Sequence, residues 1–240
     1  MVVLVAAITV VSTAIGGLVA LRYRDRLHLV LGFTGGVLLG LVAFELLPEA
    51  YELTRDATLF NLPSVAIAFL AGFSVLHLVE RAVGLHHEHE YGEHHHAPVL
   101  GVAAAATLIV HSFLDGVGVG LAFQSTFAVG IAVSLAVIAH DFADGLNTVS
   151  LMLRHGNSTA RARAMLALDA AAPLLGAAAT LFFEVPDVVL GHYLGFFAGF
   201  LLYLATGDIL PEAHARHPTR LTMLTTGGGI VFIGAVIGLS

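Results

Sequence analysis

The sequence contains no cysteine, tryptophan or lysine. Without cysteine, disulfide frameworks, thiolate zinc sites and thiol nucleophiles are excluded. Charged residues make up only 11% of the 240 residues, less than half of the roughly 25% that is usual in soluble domains, whereas 58% of the residues are hydrophobic. A formal net charge of −7 provides no basic face for nucleic acid. The composition therefore predicts a multi-pass membrane protein, and one unusually rich in histidine, with 14 such residues.

Apolar runs of about 20 residues, the length that a helix needs to cross the hydrocarbon, occur eight times in the chain. They are rich in Leu, Val and Ala and show no two-residue alternation, so they predict helices and not barrel strands. The sequence thus predicts an all-α integral membrane protein that forms a single domain over residues 1–240. The eight predicted spans are Val2–Leu21, Leu29–Leu47, Leu62–Val79, Val99–Phe123, Phe127–Leu153, Ala164–Phe183, Val188–Leu210 and Leu221–Leu239.

The distribution of arginine predicts the orientation of these spans. The first apolar run has no basic segment before it, and Arg22, Arg24 and Arg26 follow it, which is typical of a retained helix with its N-terminus outside. In that orientation nine of the ten arginines fall inside and only Arg55 falls outside. The bias agrees with the positive-inside rule. Eight spans then place both termini outside the plasma or inner membrane of the cell.

The fourth and fifth spans carry ionisable residues near their centres, in two copies of the pattern H-x-F-x-D-G (His111–Gly116 and His140–Gly145). An ionisable group at mid-membrane costs at least ~2.5 kcal/mol, so each needs a reason. Residues four apart differ by about 40° around a helix, so the His and Asp of each copy share a face. Because only Gln124–Thr126 separates the spans, we expect them to face each other. The residues brought together are His111, Asp115, His140, Asp141 and Asp144, with Asn147 on the same stripe as His140.

A divalent cation is the partner that this set of side chains predicts. Three carboxylates accompany two imidazoles, and no Lys or Arg within these spans is present to neutralise them. Imidazole suits zinc, iron, nickel and copper, and carboxylate oxygens widen the acceptance toward manganese. The alternative is a His–Asp hydrogen-bonded network that locks the two helices together without an ion. Duplication of the pattern on adjacent helices favours the metal site.

A second repeat indicates how the halves of the protein are related. The sequence L-P-E-A occurs within Phe44–Ala50 at the end of the second span and within Gly207–Ala213 at the end of the seventh. In the orientation above, the first copy lies at the outer face and the second at the inner face. Similar segments on opposite sides predict inverted halves around spans four and five, a 3+2+3 bundle. The acidic residues of these segments predict a cation pathway, and the alternative is that they are simply kinked, acidic helix ends. These residues are Glu45, Glu49, Asp208 and Glu212.

The loop at residues 85–97, predicted to be cytoplasmic, is rich in histidine and glutamate. Short histidine-rich tracts are typical of labile metal binding. The alternative is a solvated linker without a metal-binding role, because the spacing defines no fixed site. The histidines concerned are His86, His87, His89, His94, His95 and His96.

Taken together, these motifs resemble the ZIP (Zrt/Irt-like) family of divalent metal transporters, in its prokaryotic form, over all eight spans. That family carries H-[N/S]-x-x-[E/D]-G on its fourth helix, H-[E/D]-x-x-[E/D]-G on its fifth, L-P-E-A-like ends on its second and seventh helices, and a histidine-rich cytosolic loop. All of these patterns occur here in order. The resemblance implies import of a divalent transition metal as substrate, zinc first and iron, manganese or cadmium as alternatives. It implies no resident cofactor and no enzymatic activity.

The resemblance also implies the ligands. The His and Asp of the two H-x-F-x-D-G copies would line one metal site, with Ser112 and Asp141 at an adjoining second site. On the sixth helix the family usually carries E-P-L-G-A, whereas this chain has Ala172 at the position of the Glu. Asp169, one turn earlier, is the candidate to replace it, but its direction around the helix differs by about 60°. A single ion is therefore an alternative to two.

Two other classes of protein fit parts of this pattern. A zinc-dependent integral-membrane hydrolase also binds zinc through His and Asp, but such a site usually draws on three histidines near one face of the bilayer. A metal exporter or a purely structural helix bundle is the other alternative. The expected partners are a divalent cation and the lipid bilayer, with no nucleic acid, and a homodimer is left open as the assembly. Proteoliposomes that contain a metal-sensitive dye would distinguish a transporter from a hydrolase.

Overall fold

The computed structural model describes residues 2–22, 27–83, 98–215 and 220–239, and these residues are almost entirely helical. A two-residue hairpin, β1 (Thr58–Leu59) with β2 (Leu62–Pro63), turns through positive φ at Phe60 and Asn61. The helices are α1 Val2–Arg22, α2 Leu27–Leu41, α3 Leu47–Leu53, α4 Ser64–Val83, α5 Pro98–Ser125, α6 Phe127–Arg154, α7 Thr159–Ala179, α8 Asp187–Tyr203, α9 Leu210–Ala215 and α10 Arg220–Leu239.

Seven helical stretches of the described chain are long and apolar enough to cross a membrane. They correspond to seven of the eight predicted spans. The remaining prediction, Leu62–Val79, falls on α4, whose apolar part Ser64–Val79 is shorter than the others. The protein is therefore an all-α, multi-pass membrane protein.

Two helices continue past their predicted ends, and in both cases a proline lies at the point of departure. The second and seventh spans do not stop at Leu47 and Leu210 but run on through α3 and α9. In each case a π-helical segment, Val42–Leu46 or Leu204–Ile209, comes just before the proline of L-P-E-A. Proline lacks the N–H for the helical bond and its ring clashes with the carbonyl four residues earlier, and a wider turn accommodates both effects. Both helices therefore continue past their prolines.

The helices form two groups. The first helix group consists of α1, α5, α6 and α7, in which α5 packs on α7 and α1 packs on α6 most extensively. The second helix group consists of α2, α3, α4, α8, α9 and α10, in which α2 packs on α10 and α4 packs on α8. The groups meet mainly where α2 contacts α6 and where α8 contacts α5. All residues of the two H-x-F-x-D-G copies belong to the first helix group.

In each of these four helix pairs, one glycine from each helix lies at the contact. A Cβ on Gly16 of α1 would lie 1.9 Å from the carbonyl oxygen of Phe142 on α6, and one on Gly145 of α6 would lie 2.0 Å from that of Thr13 on α1. Glycine thus lets the two backbones touch, as small residues do in membrane helices. The equivalent glycines are Gly116 with Gly176 for α5 and α7, Gly36 with Gly229 for α2 and α10, and Gly72 with Gly199 for α4 and α8.

Candidate metal centre

The connection between α5 and α6 places the two repeated motifs side by side. A single residue, Thr126, separates the helices, and its side-chain oxygen accepts a hydrogen bond from the backbone N–H of Val129 at 3.1 Å. This cap satisfies one of the free donors at the start of α6 and fixes the reversal of the chain. The two helices therefore run antiparallel and in contact, as the short connection predicts.

Four side chains from these helices converge at one place in the interior. Each offers one ligand atom, and the four atoms lie within 4.8 Å of one another. All four residues are buried, at 3% exposure or less. They are His111 and Asp115 from α5 and His140 and Asp144 from α6, which are the His and Asp of the two H-x-F-x-D-G copies.

The four N···O separations within this group are close to those of donors around a single ion. Asp115 Oδ2 lies 3.1 Å from His111 Nε2 and 3.0 Å from His140 Nε2, and Asp144 Oδ2 lies 3.5 Å and 3.7 Å from the same two nitrogens. Ligand atoms at 2.0–2.1 Å from a tetrahedral zinc ion are about 3.4 Å apart. The four N···O separations bracket that value.

Hydrogen bonding fixes which nitrogen of His140 can bind a metal. Its Nδ1 lies 2.9 Å from the carbonyl oxygen of Ala136, which can only accept, so Nδ1 carries the proton and donates it. In the neutral imidazole, Nε2 then presents a lone pair toward Asp115 Oδ2 at 3.0 Å. A carbonyl partner that orients the ring in this way is typical of metal-binding histidines. The lone pair of His140 Nε2 and the carboxylate oxygen of Asp115 are both acceptors, so they need either a cation between them or a proton on the ring.

Unpartnered atoms distinguish a metal site from a closed hydrogen-bonded network. Within the described part of the chain, Nδ1 of His111 and Oδ1 of Asp115 are buried and lack a hydrogen-bond partner. Buried polar atoms are normally paired, and a completed His–Asp network would pair these. The donor set therefore fits a divalent cation better than it fits a purely structural contact.

Comparison with known proteins supports the same reading. A family model described as ZIP Zinc transporter matches residues 85–237, which is more than half of the chain. The chain belongs to the ZIP family. A comparison with curated proteins found no match. The ZIP family is a family of divalent metal transporters rather than of enzymes, and the comparisons give no support to the hydrolase alternative.

Asp141 stands beside the four-residue group of this ZIP protein and not within it. Its Oδ1 lies 4.0 Å from His140 Nε2, and both of its oxygens are buried without a hydrogen-bond partner among the described residues. Asn147, predicted on the same stripe, is only partly buried and does not belong to the group. The structure thus brings together four of the five principal residues and places the fifth next to them.

Asp169 is held by hydroxyl groups. Its Oδ1 accepts from Ser112 Oγ at 2.7 Å and its Oδ2 accepts from Thr148 Oγ1 at 2.8 Å, so that one carboxylate ties α5, α6 and α7 together. Ser112 and Asp169 were both predicted near the metal, and the structure joins them to each other. Sequence reasoning missed Thr148, although its position four residues after Asp144 puts it on the same helix face.

The acidic residues predicted around the L-P-E-A segments do not belong to this group. Glu49 accepts a hydrogen bond from Ser125 Oγ at the end of α5, and Glu45 is partly buried in the π-helical segment before it. Asp208 is partly buried and Glu212 is exposed. The histidine-rich loop, with its six predicted metal-binding histidines, lies outside the described residues.

Aromatic residues of α8 cover the site, and sequence reasoning missed them. The ring of Phe200 stacks on the ring of His111, with centroids 4.8 Å apart and an interplanar angle of 22°. Tyr193 donates a hydrogen bond to the carbonyl oxygen of Leu114 at 2.8 Å. No periodic signal separates these residues from the many other apolar residues of α8, because that helix is apolar on all sides.

Proposed function

We propose that this ZIP protein imports a divalent transition-metal cation, with zinc as the first choice and iron, manganese or cadmium as alternatives. The observation that carries the proposal is the buried group of His111, Asp115, His140 and Asp144, whose ligand atoms lie at the separations expected around one ion. Two imidazoles and two carboxylates form a donor set that zinc accepts. The metal is the substrate, and no resident cofactor is invoked.

Charge balance supports a dication. The two carboxylates of the group carry two negative charges when ionised, and a Zn²⁺ ion neutralises both. The chain has no lysine, and every arginine whose side chain is described is exposed, so that none of them serves as the counter-ion. Unpaired carboxylates in the membrane interior are costly, and the bound ion removes that cost.

The packing supports inverted halves and alternating exposure of the site. The pairing of α1 with α6 has its counterpart in α7 with α5, and the pairing of α2 with α10 has its counterpart in α8 with α4. Each half also contains one π-helical segment followed by L-P-E-A. We infer eight spans in a 3+2+3 arrangement, with α5 and α6 at the axis where inverted-repeat transporters bind substrate.

Orientation and pathway complete the proposal. The arginine bias places both termini outside the plasma or inner membrane, with one polytopic domain over residues 1–240. In that orientation Glu45 and Glu49 lie toward the outer mouth, and Asp208 and Glu212 lie toward the inner mouth. Ser112, Asn147 and Asp169 lie along or beside the path, and the His-rich loop binds delivered metal weakly.

Metal uptake into proteoliposomes that contain a zinc-sensitive dye tests the function. We expect His111→Ala and Asp144→Ala to abolish uptake while the protein still inserts, because each removes a ligand from the centre of the group. Asp56→Ala is the matched control, since Asp56 is an exposed carboxylate in the turn after α3. Undiminished uptake by either ligand variant would contradict the proposed site, and uptake lost equally in the control would contradict its specificity.

A further inference from the structure

Two hydroxyl groups of the second helix group reach backbone carbonyls beside the metal ligands. Tyr193 on α8 donates to the carbonyl oxygen of Leu114 at 2.8 Å, and Thr34 on α2 donates to that of Ala139 at 3.2 Å. Leu114 directly precedes Asp115, and Ala139 directly precedes His140. Each bond therefore joins the two helix groups at the residue before a proposed ligand.

The two bonds join corresponding pairs of helices. In the packing described above, α2 in one half corresponds to α8 in the other, and α6 corresponds to α5. Both donors lie at the contacts where the helix groups meet. Thr34 is 1% exposed, so its hydroxyl loses its water partners and depends on the carbonyl of Ala139.

Aromatic packing reinforces the contact between α8 and the site. Phe200 stacks on His111, and a Cβ added to Gly118 of α5 would lie 3.0 Å from the ring of Phe197. Tyr193 in turn stacks on Phe197, with centroids 6.0 Å apart. Separation of α8 from α5 would therefore break the Tyr193 bond and uncover the face of His111 in the same movement.

We propose that Tyr193 and Thr34 are positioning residues that latch the metal-bearing helices against α8 and α2. The inference rests on the proposed transport function, and it adds that access to the metal requires both hydroxyl bonds to break. Each hydrogen bond stabilises the latched arrangement by about fivefold in its equilibrium with the opened one. Because the two bonds are on different helices, the effects of losing both should multiply to about 25-fold.

The absence of cysteine from the chain allows a direct test. Val133 of α6 is fully buried in a core cluster to which α2, α5, α6 and α8 all contribute, so a Val133→Cys reporter is protected while the two helix groups lie against each other. The rate at which a membrane-impermeant methanethiosulfonate reagent labels this cysteine measures how often the contact opens. The reporter is combined with Tyr193→Phe, with Thr34→Val and with both.

We expect each latch variant to raise the labelling rate about fivefold, and the pair to raise it about 25-fold. Tyr51→Phe and Thr107→Val are the matched controls, because Tyr51 is exposed and the hydroxyl of Thr107 bonds to Ala103 within its own helix. In zinc uptake, the KM should stay within about twofold while the maximal rate changes, since no ligand is altered.

Labelling rates that stay at the level of the reporter alone, or that rise equally in the controls, would overturn the latch. A rise in KM without a change in labelling would also overturn it, since that result indicates damage to the metal site. The labelling assay contains no metal, so it stands apart from the transport function. If the native chain moved no metal but the latch variants still labelled faster, only the proposed function would fail.

Discussion

The glycine that ends the second H-x-F-x-D-G copy offers the sharpest test of how packing supports the site. A Cβ at position 145 would lie 2.0 Å from the carbonyl oxygen of Thr13, whereas real Cβ atoms essentially never come within 3.0 Å of a non-bonded atom of another segment. In Gly145→Ala, α1 and α6 must therefore separate by at least 1.0 Å, the difference between these distances. Overpacking of this kind costs about 1–3 kcal/mol.

The control for this variant is Gly228→Ala on α10, where an added Cβ meets nothing within 4 Å. There the gain in helix propensity, about 1 kcal/mol, has no steric cost to oppose it. Thermal unfolding in detergent should show a lowered midpoint for Gly145→Ala and an unchanged or raised one for Gly228→Ala. Zinc uptake should fall in the first variant, because Asp144 precedes the displaced glycine. Equal midpoints in the two variants would refute the reasoning.

Two other outcomes follow from the structure. Asp169→Asn should weaken zinc binding about tenfold, the lower end of the range for residues that support metal ligands, because Asp169 holds Ser112 and Thr148 and is not in the four-residue group. Loss as complete as in Asp144→Ala, measured by zinc titration, would make Asp169 a ligand. An inside-negative potential of 100 mV should drive accumulation by more than about a thousandfold, since two charges gain about 4.6 kcal/mol. Uptake that does not change with an imposed membrane potential would contradict net movement of a dication.

Much of the fold follows from the sequence because the bilayer imposes simple rules. Apolar runs of the required length located seven spanning helices and the shorter α4, and the i, i+4 spacing of His and Asp predicted which side chains share a face. The short connection at Thr126 then decided that the two faces meet. These features depend on residues that are close together in the sequence, so they can be predicted from one amino-acid sequence.

The parts that were missed depend on contacts between distant segments. The hydroxyl partners of Asp169 come from two other helices; Ser112 was predicted near the metal, but its bond to Asp169 was not, and Thr148 does not stand out among the threonines of the chain. The predicted second and seventh spans ended at Leu47 and Leu210, but π-helical turns carry both helices onward, and that choice depends on the packing around them. Tyr193 and Phe200 could not be predicted for the same reason, because their role depends on contacts with Leu114 and His111 of α5, which are distant in the sequence.

The glycines explain why each ligand motif ends in D-G. Asp115 precedes Gly116, which meets the carbonyl of Pro173 on α7, and Asp144 precedes Gly145, which meets that of Thr13 on α1. The carboxylate and the closest backbone contact of each helix are therefore adjacent residues. Because such a contact tolerates little displacement, packing limits the movement of the backbone beside each ligand. The helix crossings, and not bonds between the carboxylates and other side chains, hold α5 and α6 in place. The ligand atoms of such a metal site are therefore available to the ion.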